Sequence, residues 1–174
     1  MAVGRSCHPT GRKTVVQIEL LLTILALAGL SILLGASMYD AIVLAPNMRG
    51  GPDGLEHGRL FMSRATPASL FRVASPATQI LLVATLIATW HVERCRWLIG
   101  GALLALVLAD VITFRFHYPR NRLMFTAPTT IDADMLDAAA RQWALGNMVR
   151  VALVLLGWLC ALLAVSTVVL VAYP

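Results

Sequence analysis

Three ionisable residues, Asp40, Asp110 and Arg150, stand inside long apolar runs. If those runs cross a bilayer, each charge costs at least about 2.5 kcal/mol at membrane depth, so it must face a bundle interior and find a partner. Their neighbours are spaced to join them. Asp110, Thr113, His117 and Asn121 recur at steps of three and four, and Trp143, Asn147 and Arg150 follow an i, i+4, i+7 rule, so each set forms one helical stripe. Tyr39 and Asp40 would supply a third wall. Carboxylate, imidazole, guanidinium and amide groups are the side-chain types of proton transfer and anion stabilisation. The expectation is a polar pocket shared by several helices. A structural reading competes with it: an Asp–Arg pair can do no more than set helix register, and Asn or Thr can simply bridge helices.

Holding such a pocket takes helices, and the composition says what surrounds them. Of 174 residues, 59% are apolar and 13% charged, and mean hydropathy is +0.77. A soluble domain carries about 25% charged residues. So few charges cannot cover a water-facing surface, and disordered chains are poor in apolar residues, so the chain reads as an integral membrane protein. The net charge of +5 comes from 13 Arg and Lys13 against nine acids. These cations flank or interrupt the apolar runs, which points to lipid headgroups and membrane topology and not to nucleic acid.

Crossing the hydrocarbon layer takes about 20 residues, and four segments qualify: 15–45, 69–90, 97–116 and 143–172. The fold class expected is an all-α integral membrane protein, an antiparallel four-helix bundle forming a single domain over 1–174. Both termini then share one side, and the long loops 46–68 and 117–142 share the other, roofing the pocket. At a rise of about 1.5 Å per residue, Asp40, Asp110 and Arg150 fall in one layer roughly 8–12 Å below that roof. The first run is too long for a signal peptide and shows no cleavage site. Pro46 is expected to end it, Pro76 to kink the second span near its first turns, and a capped helix to begin at Asp132 or Asp134. Trp90 and Trp97 bracket the short HVERCR connection as interfacial aromatics should. Glu19 reads as a headgroup-level acid near Lys13. For sidedness, the basic-residue count places the long loops in the cytoplasm, whereas dominance of the first helix places the termini there.

The remaining reactive side chains carry little. Cys7, Cys95 and Cys160 have neither metal-ligand spacing nor a disulfide framework; Cys160 reads as a packing residue, and a Cys7–Cys95 bridge is a weak alternative. His57 and His91 fall on opposite sides and cannot ligate one haem, and no HxxxH or CxxC pattern supports a metal.

The stretches MYDAIVLAP, VITFRFHYPRNRLMF and RQWALGNMVR together resemble the anthrone oxygenase-like family of small four-helix membrane proteins. The resemblance runs from Leu30 to the end of the fourth helix. Its most specific elements are Asn121-Arg122-Leu123 and the Trp143, Asn147, Arg150 stripe. It implies oxidation of an anthrone-like or other aromatic or quinol molecule by O₂ without metal or flavin, in a bacterial inner membrane. On that reading His117 or Asp110 is the base, and Arg150, Asn121 and Asn147 stabilise a phenolate oxygen. Trp143 and Tyr39 would hold the flat rings, and the substrate would enter sideways from lipid. Two other functions fit the same residues: a non-catalytic membrane subunit or assembly factor that docks a partner protein or a second copy of the chain, and a carrier for a lipid-soluble quinol.

Overall fold

The computed structural model describes residues 9–48, 51–126 and 132–172, and among them every element is a helix. In chain order these are α1 (Pro9–Tyr39), a π-helical turn (Asp40–Leu44), α2 (Ala45–Asn47), α3 (Gly51–Phe61), α4 (Pro67–Ala88), α5 (Glu93–Ile112), a second π-helical turn (Thr113–His117), α6 (Tyr118–Thr126) and α7 (Ala133–Ala172). Four stretches are long and apolar enough to cross a membrane: Thr14–Asn47, Pro67–Ala88, Glu93–Phe125 and Ala133–Val171. Their outward faces are apolar, with Leu21, Ile32, Ile80, Ile87, Leu104 and Leu170 each more than half exposed. Apolar surface this continuous is not found on a monomer facing water. It is a lipid-facing surface.

The helices run further than the apolar segments suggest, and the segments 46–68 and 117–142, expected as loops, are largely helical. Pro46 does not end the first span. The π-turn before it lets the helix restart at Ala45, so Pro46 falls in a first turn, where its missing N–H is no loss. Gly51–Phe61 is helical despite its glycines, since Pro52 falls in its first turn and Leu55 and Gly58 share a buried face. The third span continues through the second π-turn into α6. The last helix counts 40 residues, about 60 Å, and therefore outruns a hydrocarbon layer of about 30 Å. It starts as expected: the Asp132 carboxylate accepts the Asp134 N–H at 3.3 Å, and the Asp132 carbonyl accepts the Leu136 N–H at 3.1 Å.

Residue pairings fix how the long helices lie. Ser31 in the middle of α1 meets Trp158 of α7, whereas Ser37 and Asp40, at the end of that span, meet Asn147 and Arg150. Along α5 and α7, Cys95 donates to the Ala164 carbonyl at 3.9 Å, and Gly157 lies against Ala102. Lipid offers no hydrophobic drive between spans, so close packing of small residues does the work. At Gly29 a β-carbon would stand 2.5 Å from the Thr78 Oγ1, which is why α1 and α4 can approach there.

Two apolar cores result. One lies among the spans and includes Ala26, Leu30, Leu82, Ile99 and Leu106. The other joins α2, α3, α6 and the start of α7 through Leu44, Met48, Leu55, Met124, Leu136 and Trp143. Arg59 ties this second core together, its Nε and Nη2 both donating to the Met124 carbonyl. Glu19 is 5% exposed, buried where α1 meets the α4–α5 turn, with His91 Nε2 at 3.7 Å from its carboxylate. Trp90 and Trp97 do flank the α4–α5 turn on the outside, with the Arg96 guanidinium 5.2 and 5.7 Å from their ring centres. Cys95 and Cys160 are free thiols; Cys7 lies outside the described residues.

Candidate functional site

Both π-turns lie against α7, and each carries a residue of the expected pocket. In a π-turn the backbone bonds reach five residues: the Ala45 N–H meets the Asp40 carbonyl, and the Tyr118 N–H meets the Thr113 carbonyl. Such turns are rare and cluster at functional sites, because the inserted residue re-aims the side chains beyond it. The first begins at Asp40, whose Oδ2 accepts a hydrogen bond from Arg150 Nη2 at 2.6 Å. The second ends at His117, and α7 accepts it because Gly146 has no side chain. A β-carbon there would stand 2.5 Å from the Phe116 ring and 3.3 Å from His117 Cε1. Gly146 and Arg150 are one turn apart, so a single face of α7 receives both irregular turns.

Between α4, the second π-turn, α6 and α7 lies a cavity of about 950 Å³. That is near the top of the roughly 300–1,000 Å³ range of small-molecule sites. Its deep polar wall holds the buried Asp40–Arg150 pair and Asp110. Asp110 Oδ2 accepts from Ser75 Oγ at 2.7 Å and from Gln79 Nε2 at 2.6 Å. Phe71 supports the pair from below, with the Arg150 guanidinium 4.5 Å from its ring centre. His117 is 2% exposed and stands edge-on to Trp143, with ring centres 5.4 Å apart. The Gly146 backbone lies beside the imidazole, yet neither ring nitrogen meets a partner at hydrogen-bonding geometry. Asn121 Oδ1 and Trp143 Nε1 are likewise buried without a partner. Each buried orphan costs about 1–3 kcal/mol, and a guest bearing hydroxyl or carbonyl oxygens would satisfy them.

Of the residues singled out by spacing, Asp110, His117, Asn121, Trp143 and Arg150 line this cavity together with Asp40. Two do not. Tyr39 is 46% exposed and points outward, since adjacent residues on a helix diverge by about 100° and Asp40 has taken the inward position. Asn147 is fully buried but turns toward α1, where its Nδ2 donates to the Ser37 carbonyl at 3.3 Å. It fastens α1 to α7.

Spacing alone passed over the α4 wall: Phe71, Ser75 and Gln79 recur at steps of four and all line the cavity. That polar pair one turn apart in an apolar span was the available signal. Arg64 and Arg72 mask it, because they make the stretch before Pro76 read as headgroup-level. Arg59, Arg72 and Arg122 also border the cavity. Among the described residues no group of three or more His, Cys, Asp or Glu is placed to hold a metal ion. Comparison with protein-family models, with curated proteins and with solved structures finds no match for the chain.

Proposed function

We propose that the chain is an integral membrane oxygenase that oxidises an anthrone-like or other aromatic or quinol molecule with O₂, using side chains and no cofactor. Its spans would form an antiparallel four-helix bundle with both termini on one side of a bacterial inner membrane. The Glu19–His91 and Cys95–Ala164 meetings at one end, and Asp40–Arg150 at the other, support that threading. The observation that carries the functional reading is the convergence of His117, Asp110 and Arg150 on one apolar-bodied cavity large enough for a fused-ring guest.

The chemistry needs little from the protein. A base removes a proton from the activated ring CH₂, leaving a carbanion delocalised onto the neighbouring oxygen. That anion gives its electrons to O₂, and the resulting hydroperoxide loses water as the second C–H breaks. One oxygen atom stays as the new carbonyl, and the other leaves in water. His117 is the preferred base, because Asp110 Oδ2 is already held by two donors whereas both imidazole nitrogens are free of side-chain partners. Arg150 supplies positive charge to the oxyanion in a water-poor site, where such stabilisation is strongest. Trp143 and Phe71 offer flat faces, and the Asn121 amide a further hydrogen bond.

The test is O₂ uptake by the protein in lipid nanodiscs with 1,8-dihydroxyanthrone, corrected for autoxidation. Uptake above background should fall about 10²–10⁴-fold in His117→Ala, the usual contribution of a general base. Binding of the anthrone without uptake would make the protein a carrier for such molecules, and uptake unchanged by the substitution would remove His117 from the chemistry.

A further inference from the structure

The charged residues around the cavity are unevenly matched. Two acids, Asp40 and Asp110, face four arginines, Arg59, Arg72, Arg122 and Arg150. Arg150 is paired with Asp40, and Arg59 is bound to the Met124 carbonyl. Nearby Arg120, which does not border the cavity, is also engaged: it donates to Gln142 Oε1 at 3.1 and 2.8 Å and stacks on Phe116. Arg72 and Arg122 differ from all of these. Both are exposed, both border the cavity, and among the described residues neither has an ion pair or hydrogen bond.

Their placement is as telling as their freedom. Arg72 belongs to α4 and Arg122 to α6, so two separate helices each bring one exposed arginine to the same cavity. Phe114 and Tyr118, both exposed, and Phe125 add aromatic side chains to the same lining. Arg72 precedes Ser75 by three residues and Gln79 by seven, about 4.5 and 10.5 Å along the helix; Arg122 follows His117 by five, about 7.5 Å. An anion held by both arginines would therefore stand about one fused-ring length from the buried polar layer. Arginine also suits oxyanions in particular, its planar fork giving two parallel N–H bonds to carboxylate or phosphate.

We propose that the cavity takes an amphiphile bearing an oxyanion group, carboxylate or phosphate, which Arg72 and Arg122 grip at the opening while the apolar body lies inside. This rests on the reading of the cavity as a site for a flat apolar molecule, and is independent of whether turnover follows. The same oxyanion chemistry is offered by an acidic aromatic and by the headgroup of an anionic lipid.

The experiment uses the full chain in phosphatidylcholine nanodiscs under nitrogen, so that binding is read apart from oxidation. The probes are 1-hydroxy-2-naphthoate and its methyl ester, followed by tryptophan quenching, to which Trp143 in the cavity wall reports. The acid should bind about tenfold more tightly than the ester, two exposed charge contacts being worth about that much. In Arg72→Gln/Arg122→Gln the acid should fall to the affinity of the ester, with ester binding unchanged. Both side chains are exposed, and an unaltered melting temperature confirms that the variant is folded. If phosphatidylglycerol displaces the acid from the native protein and has no such effect on the variant, the oxyanion belongs to lipid; if it does not compete, it belongs to the small acid. Equal affinity of acid and ester in the native protein overturns the proposal, as does a preference that survives in the variant. Failure of both probes to bind overturns instead the cavity reading beneath it.

Discussion

The two ends of the bundle bury similar polar side chains and satisfy them in opposite ways. Toward the α4–α5 turn, Thr23, Thr85, Thr89 and Thr167 are buried, and each hydroxyl donates to the carbonyl four residues earlier on its own helix. Such back-bonding needs nothing from a neighbour. The helices there can close on one another, and few side chains reach toward another element: Glu19 to His91 and Cys95 to the Ala164 carbonyl. Around the cavity the bonds cross between helices: Ser75 and Gln79 to Asp110, Arg150 to Asp40, Asn147 to Ser37. Thr113 and Thr78, back-bonded to Ala109 and Ala74, are exceptions at that end. The buried carboxylates and guanidinium group there are met from other helices, so they hold helices at fixed separations and leave a hollow where the fit is incomplete. The lesson is that burial of a polar residue says little about function until its partner is known.

That contrast can be broken most severely at the buried ion pair. Arg150→Leu strands the Asp40 carboxylate, which is 2% exposed, and should lower stability by about 3–5 kcal/mol. Asp40→Leu/Arg150→Leu should recover most of that loss, because paired buried charges contribute little net stability over apolar residues. Thermal unfolding in detergent measures both. If the double variant also keeps full binding of an aromatic probe, the pair only sets register. The cavity end then resembles the other end after all.

A matched comparison sharpens the difference with smaller effects. Ser75→Ala removes one of two donors to Asp110 and should cost about 1–3 kcal/mol in stability, with a measurable loss of probe affinity. Thr85→Val removes a back-bond of equal length, 2.7 Å, and should cost no more than about 1 kcal/mol, leaving affinity untouched. Equal losses of affinity in the two variants would mean that the ends are not functionally distinct. Smallest of all is Tyr39→Phe, an exposed position outside the cavity, where stability should change by no more than about 0.5 kcal/mol and probe binding not at all.

Much of the helical framework was readable from residue order. The four apolar stretches, the start of α7 at Asp132, and the outward Trp90 and Trp97 all follow from local rules. Harder to read was the roof. Glycine and proline in NMRGGPDGLEHG suggest a loop, and Gly51–Phe61 is helical with Leu55 buried in a core that includes Met124, Leu136 and Trp143, residues far along the chain. The burial of Glu19 was hidden for a similar reason: it comes from the approach of the α4–α5 turn, which lies far along the chain.

Depth along a helix depends only on counting residues, so the chain itself already determined that Asp40, Asp110 and Arg150 would share a layer. It also determined that helices would be the elements holding them, since in lipid only helices and closed barrels satisfy the backbone, and apolar runs this long suit helices and not barrel strands. Direction around the helix axis was decided only in the folded molecule. Two π-turns each insert a residue and turn the following side chains, an effect held in place by Arg150 and by the missing side chain at Gly146. Packing of helix on helix likewise decides that Asp40 faces in and Tyr39 out, that Asn147 turns to α1, and that Ser75 and Gln79 close on Asp110. Azimuth is a property of helix against helix, and no single helix carries it.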